Sequence, residues 1–527
     1  MAIFSSLRLS QLLSVAIATP LGAAMCVPRS NTSHGITWKS CDLGLNETAP
    51  ISCGSLVVPL DYTNETSDET LTLELLKVDA VNGPSKGSIM FNFGGPGTSG
   101  KGDFAYYAKL LLGATGGYHD LVTFVPRGTG DTLPFSCYAT AEERALAALV
   151  NPFLSGNSSD VALGKISAEA QIFSQTCYHA QNKTGQLIGT AFVARDMMQI
   201  VDALEEDGML RYWGVSYGTV LGATAAALFP ERMDKVILDG VVNIFEYYSN
   251  TEVELYTDTD KAFSSFCEAC IANPDQCVLA TGNITASELE ASVYAFFDDL
   301  KYNPIVIPDP TGGYVLEYSS VKPIIHRQLY LPQIWSYTAT ILNALLTRDL
   351  EALATIVADM TASGAALDAE AQFGIKCGDA WVDADADVLS TIEARHEASR
   401  IAGDTADGVV MRCAKWKLPA KERYAGDFDV ETKNPMLIIG NAYDPVTPLA
   451  SARNVSETFK GSVLLQQDSY GHDSLTQASL CTAKIVSAYF VDGKLPDKDT
   501  VCSVETPLFS GSDGWEDVLK QLAAEDE

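Results

Sequence analysis

A single serine, Ser216, lies between two glycines in Tyr-Trp-Gly-Val-Ser-Tyr-Gly-Thr-Val-Leu-Gly (212–222), where an apolar strand-like run gives way to an Ala-rich helix-like one. A nucleophile held on so sharp a turn needs small residues two before and two after it, because the neighbouring backbone crowds those positions. Gly214 and Gly218 meet that need. The same five residues also arise as an ordinary buried helix start, so context decides. A serine nucleophile needs a base, and the base needs an acid to orient it. Asp444 follows the apolar run Asn-Pro-Met-Leu-Ile-Ile-Gly (434–440), and His472 follows the run 461–467. Both fall on loops at strand ends, where groups from separate positions converge. Taken singly, Asp444 is a turn former before proline and His472 a surface histidine. Asp473 is a weaker acid, because an adjacent side chain seldom points at its neighbour's ring. The order serine, acid, histidine, each after a strand-like run, favours the joint reading: acyl transfer through an activated serine.

Such a serine also needs donors for the oxyanion that forms. Asn-Phe-Gly-Gly-Pro-Gly-Thr-Ser-Gly (92–100) follows another strand-like run, and its glycines let backbone N–H groups approach a substrate oxygen. Gly95 and Tyr217 are the expected pair, with Gly94 as an alternative to Gly95. A phosphate cradle is disfavoured, because the loop lacks a Gly-Lys-Ser/Thr ending and Lys101 is displaced. No metal or other cofactor is expected: there is no His-Glu-x-x-His and the six histidines are scattered. Cys267-x-x-Cys270 lacks the βαβ context of a redox motif.

The elements that must position these groups recur in order. Strand-like runs occur at 56–62, 71–80, 87–93, 120–125, 211–215, 234–241, 434–440 and 461–467, eight in all. The first three are close together, as in an antiparallel meander; later ones are separated by helix-length segments such as 190–206 and 219–229, as parallel crossovers require. This predicts an α/β fold with a mostly parallel eight-stranded sheet. Between the sixth and seventh runs, 286–300 and 338–360 have helical apolar spacing and 383–402 is rich in Ala and acids. The expected organisation is therefore a leader over 1–24, core over 25–242, a mostly helical cap over 243–425, and core again over 426–527.

Six motifs in order carry a resemblance: Phe-Gly-Gly-Pro-Gly-Thr-Ser-Gly, Arg-Gly-Thr-Gly (127–130), Gly-Val-Ser-Tyr-Gly-Thr, Ile-Leu-Asp-Gly-Val-Val (237–242), Asp-Pro-Val-Thr-Pro (444–448) and Gly-His. Over about 36–505 the chain resembles the prolyl iminopeptidase and tripeptidyl aminopeptidase family of α/β-hydrolases. Its return segment, with Cys481 and Cys502, is similar to the tripeptidyl-aminopeptidase type of carboxyl-terminal region. The resemblance implies an α/β-hydrolase fold, a Ser216–Asp444–His472 triad and removal of short N-terminal fragments from peptides. Two departures stand out. Phe93 replaces the His or Pro usual before Gly-Gly-Pro-Gly, and Val125 replaces an Asp two residues before the Arg, which would leave Arg127 short of a carboxylate partner. An aminopeptidase must also hold a substrate ammonium; Asp379 and Glu246 are candidates, each also readable as an ordinary solvated acid.

The bulk numbers limit the partners. A net charge of −32, spread along 527 residues, disfavours nucleic acid and anionic membrane. The first residues have a basic Arg8, an apolar run over 12–18, and small Gly22 and Ala24, the pattern of a secretory signal cleaved near Ala24. No later stretch reaches the roughly 20 apolar residues of a spanning helix. Asn-x-Ser/Thr acceptors at Asn31, Asn46, Asn64, Asn157, Asn182, Asn283 and Asn454 and twelve cysteines fit an exported protein. Proximity suggests disulfides 41–53, 137–177, 270–277, 377–413 and 481–502, with Cys26 and Cys267 left over. The expected protein is a secreted serine hydrolase, most readily an aminopeptidase. An esterase, lactonase or amide hydrolase of a small metabolite would use the same machinery, since one fold hosts both. A non-catalytic binding protein would have no reason to keep all three triad residues.

Overall fold

The computed structural model describes residues 35–309, 312–362, 369–382 and 387–525. The expected leader, Cys26 and the acceptor Asn31 lie outside the described residues. Among the described residues twelve strands occur in chain order: β1 (Lys39–Ser40), β2 (Ser52–Pro59), β3 (Thr70–Val78), β4 (Ser88–Asn92), β5 (Asp120–Phe124), β6 (Leu210–Val215), β7 (Met233–Asp239), β8 (Ile305–Ile307), β9 (Tyr314–Leu316), β10 (Leu437–Tyr443), β11 (Val463–Tyr470) and β12 (Val501–Ser503). Ten form one sheet in the order β1-β2-β3-β5-β4-β6-β7-β10-β11-β12, and β8 and β9 form a separate ribbon. Pairing is antiparallel from β1 to β5 and parallel from β5 to β12. This is the mostly parallel sheet of an α/β-hydrolase.

The eight strand-like runs are all present, but the sheet has ten strands. The two additions are β1 and β12, short edge strands of two and three residues that leave no alternating pattern to read. The third run is not the end of a meander. A helix, Lys101–Ala114, follows β4, and the crossover sets β5 parallel to β4 and between it and β3. Alternation along the strands builds a core on each face. Tyr212, Leu238 and Ile438 point to one, and Trp213, Ile237 and Ile439 to the other, as a two-residue period requires.

β7 and β10 are neighbours in the sheet, yet about 200 residues of chain separate them. That insertion has a core of its own, in which Phe263, Phe266, Val321, Ile325 and Trp335 are buried together. Its helix Ala286–Leu300 begins at a Thr285–Glu288 capping box. The run 338–360, expected as one helix, is two: Trp335–Thr347 and Leu350–Ala362. Arg348 breaks it with φ 52°, and its guanidinium bonds Asp299 Oδ2 at 2.6 Å and the Asn303 carbonyl at 2.8 Å. Of the acid-rich run 383–402, Val388–Ala398 is helical and 383–386 lie outside the described residues.

The five expected disulfides are all formed: Cys41–Cys53, Cys137–Cys177, Cys270–Cys277, Cys377–Cys413 and Cys481–Cys502. Cys267 is free and buried. No helix among the described residues is long and apolar enough to cross a membrane. The six described acceptor asparagines are exposed, but Asn454 donates to both carboxylate oxygens of Glu254, at 2.9 and 2.8 Å. A glycan there would have to break that contact.

Candidate active site

Ser216 caps the helix Tyr217–Leu228 directly after β6, with φ 58° and ψ −127°, a conformation that side chains with a Cβ rarely adopt. The glycines around it explain how the turn closes. A Cβ on Gly218 would lie 2.3 Å from the Asn92 carbonyl oxygen, and one on Gly214 would lie 2.3 Å from the Gly218 carbonyl oxygen. The glycine loop packs on the same turn: a Cβ on Gly94 would lie 2.8 Å from Ser216 Cβ and 2.9 Å from Tyr217 N. The Gly94 N–H is already used, donating to Asn92 Oδ1 at 3.0 Å. The N–H groups of Gly95 and Tyr217 donate to no acceptor among the described residues. Of the two loop candidates, Gly95 is therefore the one with a donor to offer.

Asp444 and His472 stand on the loops after β10 and β11. His472 Nδ1 lies 3.1 Å from Asp444 Oδ2, and the carboxylate has no solvent exposure. Asp444 Oδ1 accepts the N–H groups of Val446 and Thr447 at 2.9 and 2.8 Å, and Oδ2 accepts the Thr447 hydroxyl at 2.6 Å and the Asp473 N–H at 3.1 Å. Burial alone would raise the Asp444 carboxyl, but the His472 charge and these hydrogen bonds outweigh it and hold the group below the usual carboxylate range. Burial alone would lower the His472 imidazole; the Asp444 charge and hydrogen bond outweigh that and raise it. Asp473 bonds elsewhere, accepting the Leu475 N–H at 2.8 Å.

Asp239, at the end of β7, joins the serine turn to the histidine loop. Its carbonyl accepts the Ser216 N–H at 3.1 Å. Its carboxylate accepts Ser474 N–H at 3.0 Å and Ser474 O–H at 2.5 Å, two residues beyond His472. Burial raises this carboxyl to about 6. The sequence reading passes over Asp239 and Thr447, although both lie inside quoted motifs; polar residues at the carboxyl end of a predicted strand are the available signal.

Two further expectations need correction. Arg127 does not lack a carboxylate: Asp196, from the helix Thr190–Ala203, binds it through Nε at 2.7 Å and Nη2 at 2.6 Å, and Tyr62 donates to the same acid at 2.7 Å. Asp379 is not a solvated acid open to an ammonium. It is 1% exposed and accepts Thr190 N–H at 2.9 Å, the Thr190 hydroxyl at 2.5 Å and the Tyr247 hydroxyl at 3.0 Å. Thr190 in turn bonds the Tyr217 hydroxyl at 2.5 Å, so Asp379 braces the serine turn from behind. Glu246 is half-buried and accepts the Glu254 N–H at 2.8 Å.

The model of the family described as TAP-like protein matches residues 399–502, which include β10, β11, Asp444 and His472. A tripeptidyl aminopeptidase of Streptomyces lividans is 26% identical over 503 residues, covering 92% of this chain and 89% of that protein. The serine protease Hip1 of Mycobacterium bovis is 28% identical over 466 residues, covering 85% of this chain and 87% of that protein. A carboxylesterase B of Mycobacterium tuberculosis is 26% identical over 519 residues, covering 92% and 95%.

Proposed function

We propose that this chain belongs with the tripeptidyl-aminopeptidase type of α/β-hydrolases and is an exported serine aminopeptidase that releases short N-terminal fragments from peptides. Ser216 attacks the scissile carbonyl, and His472 takes its proton as general base. Asp444 orients the imidazole and stabilises its charged form. The Gly95 and Tyr217 N–H groups receive the oxyanion. His472 then protonates the leaving amine, and water, activated by the same ring, hydrolyses the acyl-enzyme.

The observation that carries the reading is the buried Asp444–His472 pair, joined through Asp239 to a serine held at φ 58°. Peptide as the substrate class is supported by the relatives named tripeptidyl aminopeptidase and serine protease. Export is supported by the leader-like first residues, five disulfides and exposed Asn-x-Ser/Thr acceptors. The relative named carboxylesterase favours a second reading, a small-ester hydrolase with the same residues. Asp379 has no part in ammonium binding in either.

Acetylating a peptide's N-terminus separates the two. An exopeptidase loses at least about tenfold in kcat/KM, about 1.4 kcal/mol of transition-state binding. Equal rates on free and blocked peptides, or ester cleavage with no peptide turnover, would establish the esterase instead.

A further inference from the structure

The helical insertion grips both loops of the acid–base pair. Pro445 directly follows Asp444, and its carbonyl accepts two side chains of the insertion: the Thr259 hydroxyl at 2.7 Å and His326 Nε2 at 3.1 Å. A carbonyl can only accept, so Nε2 carries the proton. Burial pushes the His326 imidazole down to about 4, which keeps it neutral in mildly acidic and neutral solution. Four residues on, the Tyr330 carbonyl accepts the His472 backbone N–H at 2.9 Å. The Tyr330 ring packs edge-on to His472 at 5.2 Å and to His326 at 5.3 Å. Glycine is required at 471, where φ is 87° and a Cβ would lie 2.6 Å from the Tyr330 carbonyl oxygen. The helix Tyr318–Gln328 and the turn after it thus hold the acid loop at Pro445 and the base loop at His472.

Resting on the hydrolase reading above, we infer that His326 and Thr259 are positioning residues for the reaction. Their side chains bond the Pro445 carbonyl rather than Ser216, Asp444 or His472. They fix the Asp444 loop, and with Tyr330 they place the imidazole relative to a serine whose own position is set by the sheet. Any movement of the insertion therefore displaces acid and base together, away from Ser216. Proton transfer is sensitive to such displacement: about 1 Å of misplacement costs on the order of a hundredfold in rate. Because the pair acts in the transition state, the loss falls on kcat rather than KM.

The test uses the full-length protein, with active sites counted by covalent labelling with a fluorophosphonate. His326→Leu, which removes the donor, should lower kcat per labelled site at least about tenfold with KM within about twofold, on peptide and ester alike. Its acid limb of kcat against pH should move as well, since Asp444 is no longer held against the ring. His326→Gln keeps a terminal N–H and should recover kcat to within about threefold of wild type. Thr259→Val removes the other donor and carries the same test if His326→Leu fails to fold; it should lower kcat about threefold with the same movement of the limb. Unchanged kcat per labelled site and an unchanged limb in His326→Leu, or in Thr259→Val where His326→Leu does not fold, would overturn the inference. A wild-type protein that the probe does not label would overturn the hydrolase reading first, and this one with it.

Discussion

The serine turn and the acid–base pair are built by different means. Ser216 is held by its immediate neighbours in sequence and in the sheet. Gly214 and Gly218 clear the space, Asn92 on the adjacent strand closes it, and Asp239 on the other side takes the Ser216 N–H. Asp444 and His472 lie on loops whose supports come from far away in the chain, through Thr259, His326 and Tyr330 of the insertion. One half is rigid wherever the sheet is rigid. The other depends on where the insertion sits, so reactivity can be changed without disturbing the nucleophile.

The largest test of that difference is chemical. Ser216→Ala removes one hydroxyl from a turn it does not stabilise, so the variant should fold with an unchanged melting temperature. Its kcat should fall about a million-fold, and a loss of less than tenfold would refute the nucleophile assignment. Gly218→Ala attacks the same half through packing instead. The added methyl meets backbone, the Asn92 carbonyl oxygen, and cannot push it aside cheaply. A loss of about 3 kcal/mol in stability, read from denaturant melts, is expected. Stability unchanged within error would show that the turn is looser than its glycines suggest.

The same contrast explains what is legible in the sequence. Gly-x-Ser-x-Gly announces itself because its constraint is local steric crowding. The strands do so by their apolar runs, and the missed edge strands β1 and β12 are too short to show any. The five disulfides follow from cysteines lying near one another along the chain. Asp444 and His472 can be chosen by their order after strands. Their supports cannot be, because contacts such as His326 to Pro445 join residues 119 apart and depend on how the insertion folds back. Arg127 shows the same limit. Its motif points to a partner two residues away, and the structure supplies Asp196 from a helix 69 residues on.

The smallest effect concerns the acid–base half, whose two members each change charge with pH. The neutral His472 imidazole is the base, so activity must fall as pH drops through its folded value. The Asp444 charge raises that value, so the midpoint of the acid limb should lie above the ordinary imidazole value of about 6.5. Stability runs the other way. A raised His472 contributes stability that is complete below its unfolded value and is lost as pH rises through the folded one. A depressed Asp444 contributes above its unfolded value, about 3.9, and loses that as pH falls through the folded one. The pair therefore adds most to the melting temperature between about pH 3.9 and 6.5, a window below the midpoint of the acid limb, where less than half of the activity remains. Asp444→Asn should abolish that contribution, so wild type minus variant gives a melting difference largest in mildly acid solution. Ser216→Ala should leave the wild-type curve of melting temperature against pH in place while removing all activity. An acid limb below about 6.5, or a melting difference between wild type and the Asp444→Asn variant that is flat with pH, would mean that Asp444 does not hold the His472 charge.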